Sequence, residues 1–570
     1  MIFILLRKPD SSIQLLTALR NHNRPRVVKF RLRCDLNANA IVDNPELVIG
    51  LVGPIGVDMD AVIDHLQNAL ADVEYQSSVI HITTVMRDLL PDLVFKNATY
   101  GERYHSLIES ADRVRRESKQ NAALACLAIS EIRRLRAELG NKDLDPKDAR
   151  NEPLLQRAFI LRQFKRVEEI SLLREVYGRK FIQISVFADA EERRKQLMKK
   201  IKQYRTSLVE DSDAEKTAID LIERDNNEED DDFGQRVSDV FHLGDVFVPG
   251  GAGDATKDVI DRFVKAFFGH NGMSPTKREY GMYAAAGASL RSLDLSRQIG
   301  AAIFSPQGEV ITLGCNEVPK AFGGTYWCDD PDVPPHRDFE EGEDGNHARK
   351  LRLLFDLVER LGKLDYLSDR LKSAGSTYAQ VEKLLSEKLI ADSKVMDIIE
   401  FGRIIHAEMS AITDAARKGK SLQDSILFTT TFPCHMCAKH VVSSGIRKVV
   451  FLEPYPKSHA KDLHEDSITF LADDAKTKVL FEPFIGISPR RYRDIFEKKK
   501  RKDSDGKAQP WATGKPVPRI EDRSPAYILN EEPAISLVVK DIHAFGERLA
   551  AEKQAKARTR VRKPSRKHTI

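Results

Sequence analysis

From Glu46 onward, short apolar runs alternate with long amphipathic stretches. LVIGLVG leads into MDAVIDHLQNALADV, SSVIHITTV follows, and RKFIQISVFA precedes the charged helical period DAEERRKQLMKKIKQY. Continuous apolar runs of strand length suit strands buried on both faces, and strand–helix alternation is the pattern of a parallel sheet clothed in helices. Asp189 stands where the last of these helices needs an N-cap. This restricts the chain to α/β folds. At 570 residues it is also too long for one core.

The turn VPGGAGDAT marks a boundary near residue 255, and a second α/β block follows. Within it, Ser305-Pro306-Gln307-Gly308 separates two apolar runs, a hairpin signal. The expected organisation is a basic appendage over 1–45, a first α/β block over 46–255, and a second over 270–490 with a helical insertion at about 345–403. A linker, a short amphipathic element and a basic tail fill 491–570. Hydrophobic and charged fractions of 41% and 31% are those of an ordinary globular protein, and no apolar run approaches bilayer length. A cytoplasmic protein with no membrane partner is expected. Six cysteines without regular spacing make no disulfide framework. The net charge of +4 does not by itself argue for nucleic acid, although the basic tail could hold it non-specifically.

The first block opens on IGLVGPIGVDMD, which begins like a phosphate-cradling loop at Gly53 and Gly56. A functional loop continues with Gly, Lys and Ser or Thr, the lysine holding the β/γ-phosphates and the hydroxyl a magnesium ion. Here those positions are Asp58, Met59 and Asp60, so tight triphosphate binding is not expected.

The second block carries two sharper motifs. IIHAEMSAI places His406 two residues before Glu408, and TTTFPCHMCAKHVVSSGI places Cys434 and Cys437 one helical turn apart behind Pro433. A catalytic zinc needs three protein ligands and one open position, and His406, Cys434 and Cys437 supply the three. Pro433 suits a helix start, whose positive end favours thiolates. Glu408 is not needed as a ligand and becomes the proton carrier between a metal-activated water and the substrate. The joint pattern H-x-E…P-C-x-x-C, followed by the apolar strand RKVVFLEP, is that of the zinc nucleobase deaminases, in which water adds to the amine-bearing carbon and ammonia leaves. Either half alone would be a chance helix surface, a redox pair or half of a structural zinc site.

The series SLRSLDLSRQIGAAIF, LGCNEVP, HAEMSAI and FPCHMCAKHVVSSGIRKVVF resembles the deoxycytidylate deaminases, in the same order. With the degenerate loop ahead of it, and with RDNNEEDDDFGQRVSDVF, NEVPKAFGGTYW and PFIGISPRRY, the chain resembles the bacterial anti-phage dCTP/dCMP deaminases over most of residues 46–500. The resemblance implies a degenerate nucleotide-kinase-like P-loop domain fused to a cytidine-deaminase-like α/β/α domain, a Zn2+ cofactor, and conversion of dCTP or dCMP to the deoxyuridine nucleotide. It also implies a homo-oligomer and restraint until infection, by an RNA or a nucleotide. Carried over by motif, Asn316 would contact the deoxyribose, and Arg291, Ser292 and Arg297 the phosphates. Cys315 and Ser410 depart from the family pattern. A polynucleotide-editing deaminase is the competing expectation, since PCHMCA is also similar to tRNA adenosine deaminases.

Overall fold

The computed structural model describes residues 4–7, 13–16 and 42–561, apart from 205–208, 227–235, 252, 331–335, 392, 456–457, 512–515 and 522. Most of the basic appendage, the acidic run after Asn226 and the end of the basic tail lie outside the described residues.

A small antiparallel pair, β1 (Ile4–Arg7) and β2 (Ile13–Leu16), precedes the main body. Of the five strands that follow, β3 (Leu47–Val52) is buried along its whole length. It pairs in parallel with β5 (Arg157–Phe164) on one side and β6 (Phe181–Phe187) on the other. Outside these lie β4 (Gln76–His81) and β7 (Val246–Pro249), also parallel. The second sheet has the order β12-β13-β11-β10-β8-β9. Its members are β8 (Gly300–Phe304), β9 (Val310–Cys315), β10 (Ile426–Thr431), β11 (Lys448–Glu453), β12 (Ile468–Thr469) and β13 (Val479–Pro483). β8 and β9 form the expected antiparallel hairpin, with Gly308 at φ +97°, and β10 to β13 run parallel. The fold is mixed α/β with two parallel-rich sheets. β14 (Gly486–Ile487) then leaves the second sheet and joins the edge of the first, antiparallel to β7.

The helices that matter below are α1 (Met59–Ala71), α2 (Ala123–Leu139), α3 (Ala190–Gln203), α4 (Asp211–Asn226), α5 (Lys277–Ser289), α6 (Gly345–Lys363), α7 (Ala407–Arg417), α8 (His435–Ser443), α9 (Ile528–Ser536) and α10 (Val539–Val561). Asp189 caps α3 as expected, accepting from Glu192 N at 2.8 Å. The insertion has its own small core of Leu354, Val358 and Val381.

Two expected limits move. The first core does not stop at 255: the helix Asp254–Phe267 packs on α1 and β7 and buries Ile260, Phe263, Val264 and Phe267 in the core that also holds Leu47 and Ile49 of β3. Each such side chain contributes about 1.5–3 kcal/mol on burial, which holds the helix in the first layer. The segment read as a linker and short amphipathic element is likewise built into that layer. Tyr527, Ile528, Ala534, Val538, Ile542, Phe545 and Leu549 pack with residues of α2 and β5. Arg136 of α2, fully buried, is held between Glu46 (2.8 Å) and Glu531 of α9 (2.6 Å). Tyr527 donates to Glu46 and Tyr177 to Glu531. In chain order the second sheet therefore falls between segments that belong to the first layer.

Candidate metal centre

The chain returns from the insertion by pairing Ile405 with Glu317, just past β9. His406 then caps α7, which lies so close on β9 that a Cβ at Gly314 would collide with the Ala407 carbonyl. Thr312 of β9 also donates to the Ala411 carbonyl of α7 at 3.0 Å. On the other side, β10 runs through Phe432 and Pro433 to Cys434, the N-cap of α8. Two helices thus aim their positive ends at one point, which favours thiolates there.

His406 Nδ1 lies 3.3 Å from Sγ of both Cys434 and Cys437. The three ligand atoms all lie within 4.8 Å of one another, the one such group of His, Cys, Asp or Glu among the described residues. A tetrahedral zinc with bonds of about 2.0–2.3 Å spaces nitrogen and sulfur ligands about 3.5 Å apart, so this donor set fits the ion. Both cysteines are buried. The hydrogen bond from Cys437, and then His406, pull the Cys434 thiol down to about 4 against its burial. Its bond to Cys434, with burial, pushes the Cys437 thiol up.

Glu408 is buried beside the group, and Thr429 Oγ1 of β10 lies 3.0 Å from its Oε1. That hydroxyl is equally close to the Thr431 carbonyl and has one proton to give. Burial pushes the Glu408 carboxyl up, and the nearby Cys434 adds to the shift. The group opens onto a cavity of about 260 Å³ lined by Glu408, His406 and Cys434, by Asp294, Arg297 and Asn316, and by Phe432 and Tyr455. The insertion closes one wall with Asp344, Asn346, Ile399 and Gly402. Asn346 of α6 pins that wall, donating to Ile398 O at 2.9 Å and accepting from Phe401 N at 3.2 Å. Glu400 reaches His435, between the two cysteines, at 3.0 Å.

The expected substrate contacts divide. Arg297 lines the cavity, paired with Glu453 at 2.7 Å. Asn316 lines it too, but its amide is committed to the loop around it. It accepts from Ile299 N at 2.7 Å and donates to Asp294 Oδ2 at 2.9 Å and Arg297 O at 2.8 Å. Arg291 and Ser292 do not line the cavity. The Arg291 guanidinium lies 3.4 Å from the ring centre of Trp327 and bonds Thr325, while Ser292 is fully buried and accepts from Asp294 N. They shape the loop rather than the floor. Cys315 and Ser410 are absent from the cavity wall as well. Gly53 and Gly56 belong to the other sheet, in the turn between β3 and α1. Asp294, Asn346 and Tyr455 were missed: Asp294 and Tyr455 lie on loops that carry no period, Asn346 lies in the first turn of an insertion helix, and only the fold brings the three to the cavity.

The sequence model of the cytidine and deoxycytidylate deaminase zinc-binding region matches residues 275–453. The chain is 46% identical to the deoxycytidylate deaminase of Enterobacteria phage T4 over 54 residues, 10% of this chain and 28% of that enzyme. To a probable deoxycytidylate deaminase of Drosophila melanogaster it is 26% identical over 174 residues, 30% of this chain and 58% of that one. The matched part thus spans under a third of the phage enzyme. Among solved structures, the dCMP deaminase of cyanophage S-TIM5 with dCMP and dUMP aligns at 18% identity and a TM-score of 0.20, covering 37% of this chain and 98% of that one. The matched stretch, residues 275–453, is the one that holds His406, Glu408, Cys434 and Cys437.

Proposed function

We propose that the chain hydrolytically deaminates the cytosine of a free deoxycytidine nucleotide, dCMP or dCTP, releasing ammonia and the deoxyuridine nucleotide. The observation that carries this reading is Glu408, buried beside three clustered zinc-type ligands on the wall of a cavity. A zinc ion held by His406, Cys434 and Cys437 would supply a water of lowered pKa at its open position. Glu408 takes one proton from the attacking water and gives it to the ring nitrogen. It then takes the remaining proton from the hydroxyl of the adduct and gives it to the amine, which leaves as ammonia as the carbonyl forms. Its raised pKa suits a group that must hold a proton between these steps. Thr429 orients the carboxylate. Arg297 is the cation at hand for a phosphate, provided it exchanges Glu453 for substrate.

The wall contributed by the insertion supports a small free nucleotide over a polynucleotide, because a threaded strand needs an open path on both sides of the base. The likeness to phage and animal deoxycytidylate deaminases supports the same substrate. The resemblance to anti-phage enzymes extends the reading to depletion of dCTP during infection, in a homo-oligomer whose first α/β block is a degenerate kinase-like regulatory domain.

The test is ammonia release from dCTP, dCMP, CTP and deoxycytidine, each assayed with the native chain and with Glu408→Ala. Release from dCTP or dCMP by the native chain alone supports the proposal and names the preferred phosphate. Silence on all four from zinc-loaded protein, with turnover of a cytosine-containing single-stranded oligonucleotide, would replace it with the polynucleotide reading.

A further inference from the structure

The β3–α1 turn lacks the lysine of a phosphate loop, yet a lysine reaches it from elsewhere. Lys165, just after β5, places Nζ 2.9 Å from the Gly53 carbonyl. Met59, at the position of the missing lysine, is buried in the core, and Asp58 caps α1. Loops of this kind hold a phosphate by backbone N–H groups and a lysine ammonium. Both kinds of donor are present here, and both are already engaged by one carboxylate. Asp225, near the end of α4, accepts from Ile55 N at 2.6 Å through Oδ2 and from Lys165 Nζ at 2.6 Å through Oδ1. Its side chain is 3% exposed and that of Lys165 13%.

The helices around it hold this arrangement shut. Arg193 of α3 donates to the Ile55 carbonyl at 2.9 Å. Gly56, at φ +96°, lies against α3 so closely that a Cβ there would meet the Arg193 carbonyl at 2.9 Å. The Ile55 side chain packs into an apolar cluster with Leu197 and Ile201 of α3 and Ala214, Ala218 and Leu221 of α4. A buried ion pair costs desolvation on both members, and so is weak evidence for stability alone. Its place on a loop N–H and a lysine gives it another meaning.

We propose that the β3–α1 turn is a phosphate-binding seat built from Ile55 N–H and Lys165, and that the chain fills it with its own carboxylate, Asp225, in place of a phosphate group. The α3–α4 pair is then a plug. While it is seated, the first block takes no nucleotide phosphate at this turn, and withdrawal of Asp225 exposes a seat for one.

The experiment is thermal unfolding of the full zinc-loaded chain in inorganic phosphate and in sodium chloride of matched ionic strength. The native chain is expected to melt at the same temperature in both. Asp225→Ala is expected to melt lower in chloride, because Lys165 loses its partner, and to gain roughly 2 °C or more in phosphate as the anion refills the seat. The double variant Asp225→Ala/Lys165→Met is expected to lose that gain. An equal phosphate gain in the native chain, or none in Asp225→Ala, overturns the proposal. Should Asp225→Ala fail to fold, the neutral near-isostere Asp225→Asn takes its place. Phosphorus NMR line broadening of inorganic phosphate by that variant, absent with the native chain, supports the seat; equal broadening, or none with either, overturns it.

Discussion

Oε1 of Glu408 and Oγ1 of Thr429 stand 3.0 Å apart, one on α7 and the other on β10, beside His406, Cys434 and Cys437. The pair joins the proposed proton carrier to the strand that leads into the cysteines. Glu408→Gln, which keeps the shape and removes the titrating oxygen, is expected to lower kcat by about 10²–10⁴-fold. Thr429→Val removes one hydrogen bond worth about 1 kcal/mol and is expected to lower kcat roughly fivefold with little change in KM. Steady-state kinetics on the preferred nucleotide, with folding checked by circular dichroism, measures both.

The proposed metal ligands lie at the starts of two separate helices, so a zinc ion held there would also tie α7 to α8. Dialysis against a chelator is expected to remove one equivalent of zinc per chain, abolish turnover and lower the melting temperature. Readdition of zinc restores both. Cys437→Ser is expected to bring down zinc content, read by atomic absorption, along with activity.

Arg297 and Asn316 line the same cavity but are expected to fail differently. Arg297→Ala removes the cation at the wall and should raise KM for the nucleotide by about 10–100-fold, the range for a charged hydrogen bond, while turnover of deoxycytidine is unaffected. Asn316→Ala breaks three hydrogen bonds that hold the 294–299 loop and should cost about 2–4 kcal/mol of stability. Its activity should fall on every substrate alike. Parallel kinetics on dCMP and deoxycytidine, with urea unfolding, separates the two roles.

Arg136 holds Glu46 and Glu531 together with no exposure to solvent. Arg136→Met strands two buried carboxylates and is expected to destabilise the first layer by about 3–5 kcal/mol. Because Glu531 belongs to α9, the C-terminal helices should loosen with it. Limited proteolysis should then cut near residues 528–536 in the variant and spare the native chain.

Strand–helix alternation made the α/β class legible, since residues such as those of β3 must be apolar throughout to sit inside a parallel sheet. The hairpin at Ser305–Gly308 and the cap at Asp189 were equally plain, because turn and cap chemistry is local. The limits at 255 and 491 were misread for the converse reason. The apolar face of Asp254–Phe267 shows that it is buried but not against which sheet, and Glu531 carries no mark of an arginine 395 residues away.

At the candidate metal centre, sequence alone made the donor set legible: His406 stands two residues before Glu408, and Cys434 and Cys437 stand one helical turn apart. Which polar groups surround them was decided only by tertiary structure. The return of the chain at Ile405, the wall made by Asn346, and the commitment of Asn316 to its own loop depend on contacts between segments far apart in the chain. The same holds for Asp225 on the β3–α1 turn, 170 residues from Ile55. Spacing encodes what neighbours along a helix can do together, whereas a hydrogen bond across the fold has no local pattern and exists only once packing has brought its two ends within reach.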